Sequence, residues 1–114
     1  MSNNREIWKV RAVKPYPEAH NHLLVGRVIE TNESYIKMLC KSYHFGRVVN
    51  NAKDMFVGRI EVRIIPWARV EIVNELNESF DFQKAGLTSG PDGDLVISDG
   101  HTSCLLMTAR DRRS

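Results

Sequence analysis

The sequence predicts an all-β protein: a small, strongly bent five-stranded barrel followed by a C-terminal hairpin or tail. Three observations carry this expectation. Apolar and polar residues alternate with period two through the middle of the chain, the mark of strands with one covered face. The links between alternating runs are short, as antiparallel neighbours allow and parallel crossovers do not. All five runs lie between Ile7 and Val73, and a chain this small buries more apolar surface when its sheet closes and loses its exposed edges.

The first run, Ile7 to Val13, is ended by Pro15-Tyr16-Pro17, which no regular element tolerates. Leu23 to Thr31 is the second. It contains Gly26, a residue that inside a strand marks a bend or a close backbone approach. Asn32-Glu33 supplies turn chemistry. The third run, Ser34 to His44, sets Ile36, Met38 and Cys40 on one face and Tyr35, Lys37, Leu39 and Lys41 on the other. A polar loop, Gly46 to Asp54, precedes the fourth and clearest run, Phe56 to Ile64. There Phe56, Ile60, Val62 and Ile64 share a face with Gly58, opposite Arg59, Glu61 and Arg63. Pro66 cannot donate to a ladder, so this strand stops or bends there. Val70-Glu71-Ile72-Val73 resumes as a fifth strand, its Val and Ile content outweighing an amphipathic helix reaching Leu76 and Phe80.

Composition shifts after Asp81. Residues 1–82 are expected to form the barrel. Residues 83–114 are expected to be a Gly/Pro-rich loop, Gln83 to Asp94, then a hairpin or flexible basic tail. Leu95-Val96-Ile97 and Cys104 to Met107 flank Asp99-Gly100, a hairpin signal.

The stretch Val25-Gly26-Arg27-Val28 to Lys37-Met38 resembles the first motif of Sm-like proteins. A strand glycine (Gly26) is followed two residues on by an aliphatic one (Val28), then by a turn residue, here Asn32 where Asp is usual. Ile36 and Met38 continue the hydrophobic alternation. The strand–bend–strand from Val57 to Val73 has the order of that family's last two strands. The resemblance spans residues 20–75 and implies an Sm-like barrel. It does not imply the family's RNA contacts: Ile65-Pro66-Trp67-Ala68 stands where Sm-like RNA binders carry Arg-Gly or Tyr-Lys-His.

Charge says where a ligand can be sought. The 114 residues carry 16 basic and 14 acidic side chains, net +2. Arg110-Asp111-Arg112-Arg113-Ser114 accounts for that excess, so the rest is formally neutral and the pI of 8.7 reports a basic tail. Bulk charge therefore does not identify a nucleic-acid binder, which needs a clustered patch. Aromatic and basic residues do interleave at Tyr35, Lys37, Lys41 and Tyr43, with Arg59 and Arg63 further on. Stacking on aromatics with cations on phosphate is how single strands are held. Trp67, with Arg69, is a candidate interface anchor, and its competing role is a plug at the barrel corner.

His20, His22, Cys40 and His44 are the only cluster of metal-ligand types, and the pairing of the second and third strands draws them together. Their spacing is not that of a zinc motif, and a cysteine in an apolar row is more often a small hydrophobe. A cysteine nucleophile, Cys40 or Cys104 with His44 or His101, has no supporting spacing. Glu71, Glu75, Glu78 and Asp81 form an acidic run read as a solvated edge. Two cysteines make no disulfide framework, and no apolar run reaches the ~18–20 residues of a membrane helix.

The expected protein is thus a non-enzymatic binding module without cofactor, cytoplasmic and not membrane-bound. It is homo-oligomeric through strand edges, and binds RNA or single-stranded nucleic acid through Tyr35, Lys37, Lys41, Tyr43, Arg59 and Arg63. The alternative is a protein-interaction or assembly component that binds no nucleic acid and whose partner sees Trp67 and the C-terminal hairpin.

Overall fold

A computed structural model describes residues 6–14, 21–45, 55–89 and 93–107. The chain is all-β. Five strands, β1 (Ile7–Ala12), β2 (Asn21–Thr31), β3 (Tyr35–Phe45), β4 (Met55–Pro66) and β5 (Val70–Leu76), form one antiparallel sheet in the order β4-β3-β2-β1-β5. Three more, β6 (Gly86–Ser89), β7 (Leu95–Ser98) and β8 (Ser103–Met107), form a second sheet in chain order. The alternating runs of the sequence all become strands, and the Val70 segment is a strand rather than a helix.

The ladder does not close on itself. Among the described residues β4 and β5 lie at opposite ends of the strand order, leaving two free edges. The expected closed barrel is therefore corrected to an open five-stranded sheet. The ladder pairs β5 with β1 alone, and no backbone pairing joins β5 to β4 among the described residues. A single 3-10 turn, Trp67–Arg69, delivers β5 to β1 instead of to β4, and the Val13 N–H donates to the Arg69 carbonyl at 2.7 Å.

Three one-residue register shifts interrupt the sheet, at Ile29 in β2, around Gly58–Arg59 in β4, and at Glu71 in β5. Each is a bulge, which adds twist and bends its strand. The β4 bulge flips the side-chain parity. Val57 lies opposite Tyr43 but Ile60 lies opposite Lys41, so Phe56, paired with His44, is on the other face from Ile60, Val62 and Ile64.

The two faces of the large sheet carry separate cores. On one, Ile7, Leu23, Val25, Tyr43, Phe45 and Met55 pack with Phe80, Phe82, Ala85, Leu95, Ile97, Cys104, Leu106 and Met107. The C-terminal sheet thus shares a core with the N-terminal one across the 82/83 boundary, and Lys9 Nζ donates to the Leu105 carbonyl at 2.8 Å. On the other face, Val10, Leu24, Val28, Ile36, Met38, Cys40 and Ile65 cluster with Trp8, Val70 and Val73.

The segment read as a loop from Gln83 to Asp94 contains β6, which has one apolar residue, Leu87, and so no alternation to betray it. The hairpin at Asp99-Gly100 forms on a longer loop, Asp99 to Thr102, with Ser98 paired to Ser103. The Asp99 carboxylate accepts from the N–H groups of Asp81, His101 and Thr102 at 2.9, 2.8 and 2.7 Å, which holds its pKa down to about 2. Gly100 takes the positive φ of 95° that the turn needs. The basic tail, Arg110 to Arg113, and His20 lie outside the described residues.

Candidate functional site

Where β3 meets β4, the alternation of each strand decides what solvent sees. Tyr35, Lys37, Leu39 and Lys41 of β3 lie opposite Pro66, Ile64, Val62 and Ile60 of β4, all on the face that carries the C-terminal sheet. That cover reaches Leu39 and, on β4, Met55 at its start, and stops short of the Ile60–Ile64 stretch. Ile60, Val62 and Ile64 remain 38%, 52% and 59% exposed, a contiguous apolar row along a free edge. Phe56 and Val57, before the bulge, are exposed as well. The alternation alone makes Ile60, Val62 and Ile64 a buried face. Pro66 carries the contrary signal, since a strand ending in proline belongs at an edge.

The six residues expected to hold nucleic acid do not form one surface. Tyr35, Lys37 and Lys41 share one face, each half-buried. Tyr43 is on that face but is only 1% exposed, packed in the shared core with its hydroxyl unpartnered. Burial, and then the nearby Cys104, push its pKa up to about 12. It cannot be a stacking platform, because the C-terminal sheet covers it. Arg59 and Arg63 point to the opposite face. Arg63 Nη2 is 4.0 Å from Glu61 Oε2, while its Nε is buried without an acceptor.

Trp67 and Arg69 sit on the exposed turn. The indole N–H donates to the Asn32 carbonyl at 2.6 Å and the Trp67 backbone N–H to the Ser34 carbonyl at 3.2 Å. Trp67 is thus a peg between this turn and the β2–β3 turn, with its ring edge in solvent. The Asn32 side chain shapes the latter turn by accepting from the Ser34 and Tyr35 N–H groups at 2.8 and 3.0 Å.

Of the weak metal set, the structure brings two members together. His22 and His44 are cross-strand partners with stacked rings 4.0 Å apart. Cys40 is on the same face, but two alternations along β3 and fully buried in the second core. Among the described residues no three His, Cys, Asp or Glu side chains gather as a metal would require. Burial pushes the Cys40 thiol up to about 11 and raises Cys104 too, so both stay protonated at neutral pH and neither is an activated nucleophile. The acidic run is solvated, with Glu71 3.3 Å from Arg11.

Burial, then the neighbouring His44 and Arg63, lower the His22 pKa from 6.5 to about 4. The folded state therefore keeps His22 neutral while the unfolded chain protonates it near 6.5. Its contribution to stability is complete above that value and is lost as pH falls toward 4. Urea midpoints of the wild type should fall across this window, and those of His22→Gln should fall less.

No helix among the described residues is long and apolar enough to cross a membrane. Comparison with family models, curated proteins and solved structures finds no match for this chain, so its function has to be read from the geometry just described.

Proposed function

We propose that this protein is a non-enzymatic assembly module of Sm-like architecture, which joins other chains through the free edges of its five-stranded sheet. The single observation that carries this is the β4 edge, where Ile60, Val62 and Ile64 are exposed in a row on a strand with no outer neighbour among the described residues. A long apolar edge templates another strand, and natural monomers avoid presenting one.

The bent, half-barrel form of the sheet has its own support. Laid flat, the two edges of five strands are ~19 Å apart, and Pro66 and Val70 sit at opposite ends of β2, ~33 Å apart along it. The three residues between them reach at most ~14 Å. A flat sheet does not allow that span and a bent one does. Bulges in β2, β4 and β5 and the close approach at Gly26 supply the curvature. Ile65 from one edge and Val70 and Val73 from the other enter the same core.

A second reading, binding of RNA or another single strand, is favoured by Tyr35, Lys37 and Lys41 standing half-buried on one face next to the exposed apolar row. One measurement addresses both. Light scattering of the purified protein over a hundredfold concentration range should give a mass above that of one 13.1 kDa chain. The ratio of absorbance at 260 and 280 nm reports any nucleic acid carried along. A monomer throughout removes the assembly reading, and a protein-only spectrum with no salt-sensitive oligonucleotide binding removes the second.

A further inference from the structure

We propose that the β4 edge is self-complementary, and that two copies of this chain pair β4 with β4 antiparallel about a two-fold axis through Val62. This rests on the edge-assembly reading above and names its partner and register. The segment Ile60-Glu61-Val62-Arg63-Ile64 reads the same in both directions in apolar character and with opposite charge. Across a two-fold axis at Val62, Ile60 faces the partner's Ile64 and Val62 faces the partner's Val62. One apolar row then meets another on a single face. On the opposite face Glu61 lies against the partner's Arg63, and Arg63 against the partner's Glu61. Directly opposed side chains in an antiparallel pair stand within contact range, and unlike charges there are favourable.

Two local features fit this register. Arg63 Nε is buried and lacks an acceptor, and its own Glu61 reaches only Nη2, at 4.0 Å. The partner's Glu61, directly across the axis, adds a second carboxylate within range of the part-exposed guanidinium. The ladder also ends cleanly, because Pro66, which has no N–H, comes opposite the bulge at Gly58. Neighbouring registers fail on the same criteria. An axis at Glu61 sets carboxylate against carboxylate and Arg59 against Arg63. An axis at Ile60 places the Gly58–Arg59 bulge in the middle of the ladder. The product is a closed, two-fold dimer with a continuous ten-stranded sheet, from two sheets of five.

Charge exchange tests it. Glu61→Arg and Arg63→Glu each put like charges against each other twice in the homodimer. Each should weaken dimerisation by roughly 30-fold. The double variant Glu61→Arg/Arg63→Glu restores both pairs and should return to within about threefold of wild type. An equimolar mixture of the two single variants should give a heterodimer, seen by native mass spectrometry, tighter than either homodimer. Singles that dimerise like wild type, or a mixture that forms no heterodimer, overturn this register while leaving edge assembly through another strand intact. A wild-type chain that is monomeric at every concentration overturns the edge-assembly reading itself.

Discussion

Gly26→Ala is expected to cost about 3 kcal/mol or more, the upper end of what an added methylene does in a packed interior, and to leave much of the chain unfolded at 37 °C. A Cβ at this position overlaps the Leu39 carbonyl oxygen and stands 2.5 Å from the Cys40 Cα. Both obstacles are backbone of the neighbouring strand, and Gly26 is paired directly with Cys40 in the middle of the β2–β3 ladder. Relief therefore requires the strands to separate beside Cys40, a fully buried member of the second core. Gly58→Ala is the internal control. Its new methyl meets the Ser42 hydroxyl, a side-chain atom, and no backbone atom nearer than 3.7 Å, so rotation of Ser42 absorbs part of the conflict. Urea denaturation followed by tryptophan fluorescence should rank Gly26→Ala well below Gly58→Ala. Equal midpoints would remove the close approach as a determinant of the fold.

Ile97→Ala should destabilise the five-stranded sheet from outside it. Ile97 is fully buried in the core that β7 shares with Leu23, Val25, Tyr43 and Phe45, and such truncations cost about 2–5 kcal/mol. The two tryptophans, Trp8 and Trp67, both belong to the N-terminal part of the chain. Their fluorescence reports on that part alone. If the C-terminal strands are integral to the fold, the fluorescence transition of Ile97→Ala shifts to lower urea and coincides with that seen by far-ultraviolet circular dichroism. An unchanged fluorescence transition would instead make the C-terminal sheet an independent appendage.

Much of this fold was legible in the sequence because period two survives wherever one strand face is covered. The alternation located β1 to β5 within a residue or two at most ends, except that β5 runs on to Leu76. Gly26 announced the close approach, Pro66 the end of β4, and Asp99-Gly100 the last hairpin. The candidate site was less legible, and the reason is specific. A bulge is one residue with no compositional mark, yet it exchanges the two faces of everything beyond it. Phe56 and Ile60 look equivalent in the sequence and lie on opposite sides of the sheet. Tyr43 and Lys41 share a face as expected, but whether that face is wet depends on Leu95, Ile97 and Leu106, which are far along the chain. Nor can alternation say whether an apolar face is covered. It distinguishes sides, and the exposure of Ile60, Val62 and Ile64 follows from where the C-terminal sheet ends.

The brevity of the turn after Pro66 also bears on how the molecule is made. β2, β3 and β4 pair with their sequence neighbours and can zip up as local hairpins. By contrast, the ladder from Ile7 to Leu76 joins residues 69 positions apart. Loop-closure entropy places that distant pairing late and slows it. Until the turn swings β5 into place, β1 lacks its outer neighbour. The β1–β5 ladder is accordingly the pairing expected to set the folding rate, because it closes the longest stretch of chain in the large sheet.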